Sequence, residues 1–191
     1  MFVQSIYVCP HCLKTRKFDC YIEDIVGDDK NGKFYKPEYN AWCEDCEEWM
    51  FDCDPDMVDI VIALNKKGYK TEFSCAGHHK DFDDIHIAPH EICTIPYVSF
   101  RAPGEMDPYL RNMIDGDPEY KEWISFINTH TGDFDRRFSI YSGSRLMSDL
   151  DEKDEERSKE DWNKLKDVFF KFVEELIEKV ENNPMTQKRN K

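Results

Sequence analysis

The chain has 191 residues, 40% of them hydrophobic and 14% aromatic, which is enough apolar material for a core, and no apolar run approaches the ~20 residues of a membrane-spanning helix. Its net charge is −14, and none of the segments 1–55, 56–100, 101–147 and 148–191 is net basic. Counterion release from nucleic acid needs clustered Lys and Arg, so general nucleic-acid binding is disfavoured, whereas an acidic surface suits solubility or a basic protein partner.

Residues 1–54 read as short strands around two cysteine turns. Val3, Ile6 and Val8 lead into Cys9-Pro-His-Cys12. This N-terminal stretch has no basic flank and no cleavage-like site, so it reads as a strand and not a signal peptide, and the expected compartment is the cytoplasm. Phe18, Tyr21, Ile22 and Ile25 suggest a second strand, and residues 27–32 a turn-rich loop. Phe34–Trp42 then leads into Cys43-Glu-Asp-Cys46, and Trp49-Met-Phe51 leaves it.

Residues 55–147 read as a small mixed α/β domain. Asp54 is placed to cap its first helix, with Pro55 at the first helical position and Gly68 after the last. Met57, Ile60, Val61 and Leu64 form the apolar stripe of that helix. Tyr69, Thr71, Phe73 and Cys75 alternate with polar residues, a strand period. Ile85–Ala88, Ile95–Phe100 and Arg136–Tyr141 are further strands, and short helices start near Asp107-Pro108 and Asp117-Pro118.

Residues 148–184 comprise a charged linker and a long amphipathic helix that packs on the α/β domain, followed by a disordered tail at 185–191. Trp162, Leu165, Phe169, Phe172, Val173, Leu176, Ile177 and Val180 share one face of this helix. Ser158 with Asp161 is a capping-box pattern, and Asn182-Asn-Pro184 is a stop. A homodimer contact is the alternative use of the Phe-rich face, with Phe170 as its extra anchor. The fold class is therefore α+β: an N-terminal module of short antiparallel strands, a small mixed α/β domain and a C-terminal helix.

Two Cys-x-x-Cys pairs suit one zinc ion held by Cys9, Cys12, Cys43 and Cys46. A two-residue gap lets both thiolates of a turn face one ion, and turn amides stabilise the sulfur charge. The 30 residues between Cys12 and Cys43 are closed by a hairpin with a loop. Four thiolates leave no open position, so the ion is structural. The first 53 residues, and Cys9-Pro-His-Cys12 in particular, resemble the zinc-ribbon family, whose hairpins often face proteins or nucleic acids. Cys20 and Cys53 read as core thiols, and Trp42, Trp49 and Trp123 as core or hairpin packing. A redox use of the pairs is disfavoured by their duplication.

Any chemistry must lie elsewhere, and Ser74-Cys75-Ala76-Gly77-His78 is the first place to look. This segment is similar to one recurring in proteins of Gram-positive bacteria and their phages. Its Ser-Cys-x-Gly piece also resembles the wybutosine-synthesis methyltransferase family of tRNA modification, which carries a basic residue where His78 stands. Three uses stay open. Cys75 and His78 suit a nucleophile and base. Cys75, His78, His79, His86, His90 and Cys93 have spacings suited to a second metal. Ser74, Gly77 and His78, with Arg136, Arg137 and Arg145, suit an anion or nucleotide. The functional expectation is a zinc-binding interaction or regulatory protein engaging a protein partner in nucleic-acid metabolism. The rival is an enzyme or ligand binder acting on a nucleotide or RNA through Ser74–His78.

Overall fold

A computed structural model describes residues 2–21, 26–29, 32–35, 42–77, 95–130, 135–143 and 158–181. The N-terminal strands are β1 (Phe2–Val8), β2 (Thr15–Tyr21), β3 (Val26–Asp29), β4 (Gly32–Tyr35), β5 (Trp42–Cys43), β6 (Glu48–Trp49) and β7 (Phe51–Cys53). They form three small antiparallel sheets, ordered β2-β1-β7, β3-β4 and β5-β6. Strand β7, leaving the second cysteine turn, pairs with β1 through Val8↔Phe51 and Ile6↔Cys53. Alternation then gives β1 two buried faces. Tyr7 packs with Cys9, Cys43 and Met50, while Val8 joins the main core with Cys53 and Met57.

A short 3-10 turn, Pro55–Met57, leads into α1 (Val58–Lys66). Pro55 and Gly68 punctuate this helix as the sequence indicates, Gly68 having φ +86°. Asp54 does not cap it with its side chain. The turn is closed by the Asp54 carbonyl accepting from the Met57 amide at 2.9 Å, which leaves the carboxylate for another partner.

Beyond α1 lie β8 (Thr71–Cys75), β9 (Tyr97–Pro103), α2 (Met106–Gly116), α3 (Pro118–Trp123), β10 (Ile124–His130), β11 (Asp135–Ser142) and α4 (Lys159–Lys179). The four strands make one antiparallel sheet in the order β10-β11-β9-β8. Strand β10 was not foreseen. Ile124, Phe126 and Ile127 place apolar residues on both parities directly after a helix, so no clean alternation marks it. Val98, Phe100, Ala102, Phe138 and Ile140 are buried with α1 and with Val168, Phe169, Phe172, Val173 and Leu176 of α4. Trp162 and Leu165 form a second cluster with Ile95 and Tyr141. Helix α4 is capped as its sequence suggests: the Asp161 amide donates to Ser158 Oγ at 3.1 Å. Of the expected 27–32 loop, residues 27–29 and 32 are instead paired in the β3–β4 hairpin; residues 30–31, Ile85–Ala88 and the tail fall outside the described residues. Among the described residues, no helix is long and apolar enough to cross a membrane.

The mixed α/β class, the small antiparallel sheets, the C-terminal helix and the N-terminal cysteine cluster are all present as expected.

Candidate metal centre

Two turns built on different hairpins deliver the four cysteines. Cys9 follows the end of strand β1; the Leu13 amide donates to the Cys9 carbonyl at 3.1 Å and the Cys9 amide to the Lys14 carbonyl at 3.0 Å before β2 begins. The second turn closes the β5–β6 hairpin, in which Trp42 faces Trp49 and Cys43 faces Glu48. Antiparallel pairing of β7 with β1 brings the two turns to the same end of the module.

The four sulfur atoms lie within 4.8 Å of one another, and Cys12 Sγ is 3.6 Å from Cys43 Sγ. A tetrahedron with metal–sulfur bonds of about 2.3 Å has sulfur–sulfur edges of about 3.8 Å, so the cluster has the size of a four-thiolate metal site. Cys9 and Cys43 are buried, Cys46 is half-buried and Cys12 is exposed. Two polar contacts across the turns hold them together. Lys14 pairs with Asp45, and His11 Nε2 lies 3.1 Å from Glu48.

The donor chemistry also fits a cation. Burial pushes the Cys9 thiol up, but amides of Cys12 and His11 outweigh that and hold it at about 7. Burial raises Cys43, and the neighbouring Cys12 sulfur together with burial pushes Cys46 to about 12. Thiolates this close repel one another, so each ionisation makes the next harder. A bound dication reverses that order and lets all four act as thiolates. The four cysteines could therefore hold a metal ion, and four protein ligands complete a tetrahedron with no place for substrate.

The Ser74–Gly77 segment is built differently. Cys75 closes β8 opposite Tyr97. Burial, with a smaller contribution from Asp54, pushes its thiol up to about 12, and the Gly77 amide donates to its sulfur at 3.4 Å. Ser74 Oγ lies 3.8 Å from Cys53 Sγ, and the Ala76 amide donates to Asp54 Oδ2 at 2.7 Å. Gly77 has φ +83°, and a Cβ there would sit 2.6 Å from the Pro96 ring, so backbone shape and packing both require glycine. Arg137 and Arg136 stand four and five rungs along the β9–β11 ladder from the Tyr97↔Tyr141 rung beside Cys75. For Arg137 that is about 13 Å of strand. His78, His79, His86, His90, Cys93 and Arg145 lie outside the described residues.

One feature escaped the sequence reading. Glu72 binds both Arg101 and Arg137, and Arg137 lies over the Phe73 ring. These residues come from three strands, so no local spacing could reveal them. Of the two uses the sequence leaves open for Trp42 and Trp49, core or hairpin packing, the structure has the second: they meet as hairpin partners and are 39% and 60% exposed. Comparisons with protein-family models, curated proteins and solved structures find no match to this chain.

Proposed function

We propose that the chain binds one zinc ion through Cys9, Cys12, Cys43 and Cys46, as a structural ion of a zinc-ribbon module. We further propose that it is a cytoplasmic interaction or regulatory protein of bacterial or phage type. Its acidic surface engages a protein partner in nucleic-acid metabolism. The observation that carries this reading is the convergence of four cysteine sulfurs within 4.8 Å. Zinc suits an all-thiolate tetrahedron because it is borderline-soft and imposes no other geometry. With every ligand position filled, its role is to fold loop-rich chain, whose own core cluster among the described residues is Tyr7, Cys9, Cys43 and Met50.

Native mass spectrometry of the purified chain tests the metal. One zinc per chain is expected, lost on Cys43→Ser together with the fold of the N-terminal strands. A folded, metal-free chain ends the proposal.

Chemistry at Ser74–His78 is the rival. It predicts that Cys75→Ala and His78→Ala abolish an activity without loss of fold, whereas the interaction reading predicts effects on stability alone.

A further inference from the structure

The geometry points to the tryptophan-bearing tip of the second cysteine turn as a docking surface for an arginine-bearing segment of another protein. This names a surface and a partner chemistry for the interaction reading, and rests on it. Three observations lead there.

Trp42 and Trp49 are paired edge to face, with ring centroids 5.2 Å apart and planes at 80°. Such a contact holds the hairpin and leaves both rings partly exposed. At 39% and 60% exposure the pair leaves about one tryptophan of surface in water, roughly 250 Å². Among the described residues the one other exposed large hydrophobic side chain is Phe73, and it already carries Arg137 over its ring. Among the described residues no such cation lies over the Trp pair.

The charged residues between the two tryptophans have one sign. Between Trp42 and Trp49 stand Glu44, Asp45, Glu47 and Glu48, with no basic residue. Lys14 occupies Asp45 and His11 contacts Glu48. Glu44 and Glu47 are exposed and have no ion-pair partner among the described residues. A divalent metal on four thiolates adds a further net charge of −2.

Apolar ring faces bordered by unpaired carboxylates match a guanidinium, which stacks on indole and binds carboxylates with the same planar group. They repel a phosphate backbone, so RNA and DNA are poor occupants. The rigid turn also limits the ordering cost of binding, since the rings are already held by the hairpin.

The test is a calorimetric titration of the full zinc-loaded chain with a blocked Arg-Gly repeat peptide carrying four arginines. Binding is expected to weaken about 5-fold in Trp49→Ala, the scale of one cation–π contact. The double variant Glu44→Lys, Glu47→Lys removes no folded contact and is expected to weaken it at least as much. Glu160→Lys with Glu178→Lys on α4, outside the tip, makes the same change of net charge and is expected to leave affinity within about 2-fold of the parent. Equal weakening in the α4 control, unchanged binding in the tip variants, absence of binding, or displacement of the peptide by a single-stranded RNA each overturns the inference. The metal count is read on the same samples. Loss of the zinc reading therefore shows as a missing ion, and loss of this inference as indifference of the peptide to the tip.

Discussion

The carboxylate of Asp54 accepts a hydrogen bond from the Ala76 amide at 2.7 Å. Asp54 follows the last strand of the cysteine module, and Ala76 lies inside the Ser74–Gly77 loop. The contact therefore fastens the two most conspicuous sequence features to each other. Its neighbour Cys53 makes a parallel contact with Ser74. Asp54→Ala should destabilise the chain by about 1–3 kcal/mol, the range for a hydrogen bond to a charged group, and Asp54→Asn by less because it keeps an acceptor. Urea unfolding followed by circular dichroism checks both. A silent Asp54→Ala would mean that the Ala76 amide finds water at no loss.

The residues after the second cysteine of each turn, Leu13 and Glu47, share a left-handed backbone, with φ 59° and 50°. A side chain there costs roughly 1–2 kcal/mol relative to glycine, partly offset by the entropy glycine adds to the unfolded chain. Glu47 is exposed, so Glu47→Gly should be neutral or raise the melting midpoint slightly, while a β-branched Glu47→Val should lower it. Midpoints measured at equal zinc concentration decide this.

Burial pushes the Cys75 thiol up to about 12. At pH 8 the thiolate is then scarce and shielded. Cys75 should resist iodoacetamide in the folded chain and react readily in urea, as read by peptide mass spectrometry. Rapid labelling of the folded chain would favour the nucleophile reading of Ser74–His78.

Lys164 and Lys171 hold the Glu119 carboxyl down to about 2. A lowered carboxyl contributes stability above its unfolded value, near 4.5, and loses it as pH falls towards 2. Carboxyl-carbon shifts should show Glu119 still ionised at pH 3.5. Glu119→Gln should flatten the pH dependence of stability between about 4.5 and 2. A Glu119 titration near 4.5 would contradict the ion pairs linking α3 to α4.

Local chemistry was legible because it depends on near neighbours along the chain. Cys9, Cys12, Cys43 and Cys46 announce themselves by paired spacing, and their sulfurs do converge. Helix α4 announces itself by the period of its apolar face and by Ser158, and both hold. Gly68 ends α1 because only its backbone turns left-handed without strain.

What depended on distant partners was not legible. Asp54 has the right identity and position for a helix cap, yet the amide it meets is 22 residues away. For Trp42 and Trp49 the sequence left core and hairpin packing open, and only the structure shows that their hairpin keeps them in water. Glu72 gathers two arginines from strands that only the sheet order brings together. The sequence by itself determined the set of cysteines that could hold a metal and the amphipathic helix, since thiol spacing and side-chain period act within one turn or one face. The tertiary structure alone decided which carboxylates are tied, which tryptophans stay wet and that Cys75 is a buried thiol. Those outcomes depend on water excluded and charges paired by residues far apart in the chain.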